Sequence, residues 1–294
     1  MIEKTKISWT DYTFNGWRGC DKVSAGCKNC YAEINTPSRV ARAKGIETWG
    51  KNAARIVASK AQWDDIRRLN KKSQGLQDRP KVFCHSLSDV FEDYKGGNVC
   101  DHNGVKMHDT LDPVRCILFK LIMDCPNLDF LLLTKRPENV KQCLIESSNI
   151  AYGPLSDNDL TSWLEEWIGG NPPDNVWLGT SVEDQKTADK RILELIKVPA
   201  RIHFLSCEPL LGPVDMALDE VSGRNGHATI DWVICGGESG HNAREMDIEW
   251  ARCLYDECDE QGVPFFMKQL GGKKDKRESF DLFPEDLKVR EFPA

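Results

Sequence analysis

Short apolar runs, each closed by a polar or Gly/Pro-containing turn, recur along the chain. They span residues 81–86 (KVFCHS), 129–134 (DFLLLT), 175–180 (NVWLGT), 201–206 (RIHFLS), 231–236 (DWVICG) and 263–268 (VPFFMK). Runs of this length without alternation predict strands buried on both faces, as in parallel sheets. Helical periodicity separates them, over 38–45, 52–72, 112–124, 137–148, 183–196 and 247–261. The 52–72 pattern places Ile56, Ala61, Trp63, Ile66 and Leu69 on one broad stripe. At 112–124 an Asp is followed by Pro in the first turn, and 183–196 opens with Glu183 and Asp184, as a helix N-terminus favours.

Strand and helix alternate about six times, which predicts an α/β protein with a parallel sheet. Right-handed crossovers then curl it into a single parallel (β/α) barrel, full or partial, of about six to seven β/α units. No composition break marks a linker, so residues 1–294 are expected to form one domain. Segments 94–111 and 150–174 read as insertions on that scaffold, and 271–294 as a polar tail.

Composition changes this picture in two places. No apolar stretch is long enough to span a membrane, and the start, MIEKTKISWTDY, lacks the apolar core of a secretory signal. A cytoplasmic protein is therefore expected. The net charge of −7 conceals an asymmetry. Residues 1–75 carry 15 Lys/Arg against 7 Asp/Glu, and the remainder carries 24 against 39. The basic quarter suggests an anionic partner, with nucleic acid among the candidates; solvated basic helix faces are the plain alternative.

Twelve cysteines are many for a chain with no export signal, and most are expected to be reduced, buried hydrophobes. Cys84, Cys207 and Cys235 lie inside the strand-like runs and fit that reading. Cys20, Cys27 and Cys30 do not. They stand within eleven residues in a Gly-rich polar segment, as C-x6-C-x2-C. Thiolates so close on a glycine-permitted loop can converge on one metal centre. The spacing alone leaves three outcomes open: an iron–sulfur cluster, a zinc site, or unligated thiols. Zinc would need a fourth ligand, with His85, His102, His108 and Cys100 as candidates, none at a customary spacing.

Several further segments carry a resemblance. They are Gly19-Cys20, 24–32 (SAGCKNCYA), 86–89 (SLSD), 132–137 (LLTKRP), 177–183 (WLGTSVE), 204–212 (FLSCEPLLG), 232–240 (WVICGGESG) and 264–269 (PFFMKQ). Together, in order from about residue 8 to 271, they resemble the phage-associated three-cysteine family of atypical radical S-adenosyl-L-methionine (SAM) enzymes. The resemblance implies a radical-SAM-like β/α barrel. It implies that Cys20, Cys27 and Cys30 hold a [4Fe-4S] cluster whose fourth iron is left for SAM. An electron donor is then required as a partner.

Loops after the strands build the site in such a fold. Asp89, Lys135, Arg136, Glu183, Glu208 and Glu238 all stand at or just past an expected strand end. Gly236-Gly237-Glu238 resembles the motif that holds SAM's amino group, a role that Asp89 of the 86–89 segment could fill instead. Glu183 and Glu208 could accept from the ribose hydroxyls, and Lys135 or Arg136 could meet a carboxylate or a substrate phosphate. For each, a strand-end ion pair is the plain alternative.

Family members include an isomerase of thymidine hypermodification, which moves the attachment of a glycine on thymine from its nitrogen to its α-carbon. The resemblance thus implies a modified pyrimidine in phage DNA as substrate, flipped or unpaired when met. The basic segment 39–72, with Arg67 and Arg68, would grip phosphates, and Tyr12, Trp49 and Trp63 could stack on bases. Two other functions are weighed against this one: a radical-SAM lyase acting on damaged DNA or a nucleotide, and a zinc-stabilised nucleic-acid-binding module without catalysis.

Overall fold

All six apolar runs are strands, each within two residues of the expected range. The structure is a computed structural model that describes residues 3–218, 230–272 and 280–293. Its strands are β1 (Tyr12–Phe14), β2 (Trp17–Arg18), β3 (Arg55–Val57), β4 (Lys81–Cys84), β5 (Val99–Cys100) and β6 (Lys106–His108). They continue with β7 (Asp129–Thr134), β8 (Val176–Ser181), β9 (Ile202–Cys207), β10 (Trp232–Gly236) and β11 (Phe265–Gln269). The helices are α1 (Tyr31–Ile34), α2 (Thr36–Ala43), α3 (Lys60–Lys72) and α4 (Asp112–Met123). They continue with α5 (Val140–Tyr152), α6 (Asn158–Ile168), α7 (Gln185–Leu195) and α8 (Ile248–Gln261).

The chain divides into two units. The first comprises Met1–Lys22, Ala32–Trp177 and Val198–Arg201. Within it β1, β4 and β7 are neighbours in a parallel sheet, with Phe14 opposite Cys84 and Val82 opposite Phe130. Val82, Cys84, Phe130, Leu131 and Leu132 are all fully buried, which is why these strands lack alternation. Each large apolar side chain so placed contributes about 2 kcal/mol from area removed from water. Helices α4, α5 and α6 pack on one another, and Phe119 of α4 meets Trp167 of α6 edge-on at 5.9 Å.

The first unit also holds a small second sheet, in the order β2-β3-β5-β6. The 94–111 insertion supplies its antiparallel β5–β6 pair. Here one expectation is corrected: residues 55–57 are strand, not the first turn of a helix over 52–72. Ile56 and Val57 are β-branched and buried, and pair with Arg18 and Trp17. The helix begins only after Ser59, where Ser59 and Gln62 form a capping box. Ala61 is accordingly exposed, while Trp63, Ile66 and Leu69 face the core.

The second unit comprises Val23–Tyr31, Leu178–Lys197 and Ile202–Ala294. Strand β8 begins in the first unit and continues here, where the order is β8-β9-β10-β11. Trp232 lies opposite Phe204, and Cys235 opposite both Cys207 and Met267, all fully buried. Helix α7 starts two residues later than the charge pattern suggests. Asp184 is its cap, accepting from the Thr187 N–H at 2.9 Å, so Glu183 stands ahead of the helix. Helix α8 is capped in the same manner by Asp247 and ends on Gly262 at φ 66°.

The expected 271–294 tail has part of its length, residues 273–279, outside the described residues. Its later part runs along β11. The Met267 N–H donates to the Val289 carbonyl and the Glu291 N–H to the Phe265 carbonyl, both at 2.9 Å. The 150–174 insertion contains α6, which was not expected. The strands of the larger kind number seven among the described residues, short of the eight that close a (β/α)8 barrel. The parallel α/β expectation therefore holds in its partial form among the described residues.

Candidate functional site

In the second unit the segment carrying Cys27 and Cys30 is fastened by two strand-end carboxylates. Glu183, just past β8, is fully buried. One oxygen accepts from the Ser24 hydroxyl at 2.8 Å and the other from Arg191 Nη1 at 3.0 Å. Arg191, one face of α7, also donates to the Ser181 carbonyl at 2.8 Å. The loop lies so close that a Cβ on Gly26 would stand 2.5 Å from Glu183 Oε1, so only glycine fits there. Cys27 ends a 3-10 turn over Ala25–Cys27, is buried, and its Sγ lies 3.7 Å from Ser24 Oγ.

Glu238, just past β10, holds the other side. It accepts from Asn29 Nδ2 at 2.9 Å and from the backbone N–H and Nε of Arg244, each at 2.9 Å. Arg244 Nη2 reaches on to the Ala25 carbonyl at 3.0 Å, and Asn29 also donates to the Asn242 carbonyl. Burial acts to raise the Glu238 pKa, but hydrogen bonds from Arg244 and Asn29 bring it below the ordinary value. Two carboxylates, two arginines and an asparagine thus fix this loop.

Gly237 has a packing reason to be glycine. A Cβ there would stand 2.5 Å from the Leu270 carbonyl oxygen. Gly236 and Gly237 lie against the end of β11, where Gln269 Nε2 donates to the Gly237 carbonyl at 2.6 Å. Glu208, past β9, is paired with Lys268 of β11.

Cys20 belongs to the first unit, in a different setting. Its Sγ lies 3.8 Å from Arg136 Nη1 and 3.4 Å from the Asp21 carbonyl. Burial and the Glu92 and Asp89 carboxylates hold the thiol above its ordinary pKa, against the pull of Arg136. Arg136 is locked by Asp89 at 2.8 Å and by the Asp21 carbonyl at 2.9 Å. Asp89 accepts in addition from the Thr134 hydroxyl and the backbone N–H groups of Phe91 and Lys135. Burial pushes its pKa up, yet these donors and Arg136 leave it below the ordinary carboxylate value. Glu92 completes the network with two bonds from Arg55, whose guanidinium covers the Tyr94 ring.

The strand-end residues expected at a site are thus all present at strand ends, and most are engaged in holding loops. Lys135 meets Asp89 through its backbone N–H. Arg67 and Arg68 lie on α3 and are balanced within it, by Asp64 at 3.3 Å and Asp65 at 2.5 Å. Arg244, Arg191, Asn29 and Glu92 escaped the sequence reading. Asn29 and Arg244 are more than two hundred residues apart, and no local spacing links them. Arg191 could have been found, since it stands eight residues after Glu183 on the helix that follows.

The candidate zinc ligands have roles of their own, three of them on the β5–β6 hairpin. Cys100 is buried and bonds the Asn98 side chain at 3.0 Å, and His102 is exposed. His108 sits on β6. Among the described residues no three His, Cys, Asp or Glu side chains stand together as a metal-holding group.

His85 is a core residue with both nitrogens used. Nε2 accepts the Gly16 N–H at 3.0 Å, so the proton is on Nδ1, 2.9 Å from Ser88 Oγ. Burial lowers its pKa from 6.5 to about 3. The unfolded chain therefore binds this proton first, and the stability owed to the neutral ring is complete above about pH 6.5 and declines as pH falls toward 3. Urea denaturation at pH 5 is expected to give about 2 kcal/mol less stability than at pH 7 from this group. His85→Gln should remove that part of the pH dependence; an unchanged slope would refute the assignment.

A parallel α/β protein with a thiol-bearing loop fastened at its strand ends is the class these features define. The chain belongs to the family described as "Protein of unknown function (DUF5131)", whose model matches residues 4–287. No curated protein matches the sequence. Among solved structures, spore photoproduct lyase complexed with dinucleoside spore photoproduct aligns with a TM-score of 0.44 and 10% identity, over 88% of this chain and 64% of that one. A variant of the same enzyme aligns with a TM-score of 0.44 and 10% identity, over 90% and 65%. The chain thus spans slightly under two thirds of the length of the lyase. Among the described residues no helix is long and apolar enough to cross a membrane.

Proposed function

We propose that this protein is an iron–sulfur enzyme of radical-SAM type, with Cys20, Cys27 and Cys30 as the cluster's thiolate ligands. The observation that carries the reading is the cysteine segment itself. Three cysteines fall within eleven residues, no disulfide engages any of the twelve, and buried carboxylates and arginines secure the part bearing Cys27 and Cys30. The donor set suits iron and sulfide, and the ligand itself would draw the thiols together, as metal binding and local ordering are coupled.

When bound, a [4Fe-4S] cluster with one iron unclaimed by protein supplies the electron that cleaves SAM to a carbon radical. The chain's own residues divide the remaining work. Glu183 and Glu238 position the cysteine loop through Ser24, Asn29 and Arg244. Arg136 positions Cys20 and is itself fixed by Asp89. Glu208 with Lys268, at the ends of β9 and β11, is assigned to the polar groups of SAM. Gly236 and Gly237 are proposed for the same role, and Lys135 for a carboxylate or phosphate partner.

The family resemblance extends the reading to isomerisation of glycine-modified thymidine in DNA, from the N-linked to the C-linked form. Arg67 and Arg68 would face phosphates by exchanging their intrahelical partners. The test is anaerobic incubation of iron-loaded protein with SAM, a reductant and glycine-modified DNA, followed by nucleoside analysis. About four irons per chain, 5′-deoxyadenosine and a converted nucleoside are expected. If 5′-deoxyadenosine forms while every nucleoside is unchanged, the DNA substrate is wrong and the radical-SAM reading stands. Colourless protein carrying only zinc would overturn both.

A further inference from the structure

Trp49 stands in the first unit with no packing role to account for it. Three tryptophans of this unit are core residues. Trp9, Trp17 and Trp63 are at most 7% exposed and lie against Phe83, His85 and Phe14. Trp49 is only half-buried. Among the described residues its ring meets no other ring and no cation, and its hydrogen bonding is done by its backbone. Single exposed apolar groups are ordinary on a protein surface, so the exposure alone decides nothing. What decides is how firmly the residue is held, and where.

The backbone around Trp49 is pinned on both sides. The N–H groups of Thr48 and Trp49 each donate to Glu47 Oε1 at 3.0 Å. The Cys20 N–H donates to the Thr48 carbonyl at 3.2 Å and the Gly50 N–H to the Cys20 carbonyl at 2.9 Å. These two bonds form a parallel bridge that sets Trp49 opposite Cys20. Arg55 Nη2 donates to the Gly50 carbonyl at 3.1 Å, and the Ala54 N–H to the Glu47 carbonyl at 2.9 Å. Partners across a bridge stand about 5 Å apart and project from one face, so the indole is carried on the same side as the Cys20 thiol. Lys44 and Lys51, before and after it in the chain, are exposed and in no ion pair among the described residues. A half-open aromatic face on a fixed backbone, with cations nearby, is how proteins hold an unpaired base, ring against ring.

From this placement we infer that Trp49 is a stacking platform for a nucleobase held beside Cys20. Both ligands of the proposed function carry such a ring, adenine in SAM and a pyrimidine in DNA, and stacking does not discriminate between them. The flat base is therefore the shared chemistry, and experiment distinguishes its source. The inference rests on the proposed function for the choice of ligands, and on the geometry around Trp49 for the platform itself.

The probes are SAM and, separately, a short single-stranded oligothymidylate, titrated by calorimetry into iron-loaded wild type, Trp49→Ala and Trp49→Phe. The bonds that fix residues 47–50 do not involve the indole, so both variants should keep the iron content and melting temperature of wild type. Trp49→Ala should weaken at least one probe by roughly tenfold or more, and Trp49→Phe should restore most of that affinity. Loss with SAM assigns the platform to adenine, and loss with the oligonucleotide assigns it to a substrate base. In 5-fluorotryptophan-labelled protein, the Trp49 resonance, assigned from Trp49→Phe, should move with the bound probe. It should not move with ribose 5-phosphate, which has the phosphate and no base. If wild type holds no iron, the radical-SAM reading fails, while the oligonucleotide titration still tests the platform. Failure of wild type to bind either probe, unchanged affinity for both in Trp49→Ala, a loss that Trp49→Phe does not relieve, or an equal shift with ribose 5-phosphate overturns the inference.

Discussion

Cys27→Ala is expected to leave a folded protein that no longer carries iron. Iron should fall from about four per chain to less than one, and 5′-deoxyadenosine formation should drop by at least about a hundredfold. The substitution is small in volume and lies at the end of a 3-10 turn whose backbone bond, Cys27 N–H to the Ser24 carbonyl at 3.0 Å, survives it. The apo protein should therefore melt close to wild type. Cys235→Ala supplies the contrast. That thiol is fully buried in β10, and its loss should cost about 1–2 kcal/mol of stability with iron content unchanged. Iron retained in Cys27→Ala, or lost equally in Cys235→Ala, would remove Cys27 from the ligand set.

Glu183→Ala should produce the largest loss of stability among single changes at the strand ends. It strands Arg191, which is 4% exposed, beside only the Ser181 carbonyl, and it releases Ser24. Breaking a buried pair by removing one partner costs about 3–5 kcal/mol, because the surviving charge is left uncompensated. The urea midpoint of the variant should fall accordingly. The double change Glu183→Met with Arg191→Met should recover much of that loss, since two apolar side chains leave no orphaned charge. It should not recover iron binding, because Ser24 still lacks its acceptor. Recovery of both would mean that the pair serves packing alone and that the cysteine loop is positioned by Glu238 and Arg244.

The core strands were legible in the sequence because burial on both faces leaves an unbroken apolar run, as in Phe130-Leu131-Leu132 and Val233-Ile234-Cys235. The small second sheet was not. Its strands are two or three residues long, and a pattern needs more positions than that to declare a period. Arg55 illustrates the difficulty: it is charged, fully buried and in a strand, and its carboxylate partner Glu92 and the Tyr94 ring lie over thirty residues away. At the site, the cysteines and the strand-end carboxylates could be listed in advance. Their long-range pairings could not, since Ser24 with Glu183 and Asn29 with Glu238 join residues far apart in the chain. Glu183 and Glu238 were expected to face a cofactor; the structure has them gripping the loop that bears Cys27 and Cys30.

The late segment that runs beside β11 has a bearing on solubility. A terminal strand with unpaired N–H and carbonyl groups is a template on which another polypeptide can add, and cells carry many such polypeptides. Here Val289 and Glu291 occupy those groups, Arg290 lies over the Phe266 ring, and Trp232 Nε1 fastens the Glu291 carbonyl at 2.9 Å. A segment that contributes nothing to the proposed chemistry thereby acts as a guard against aggregation.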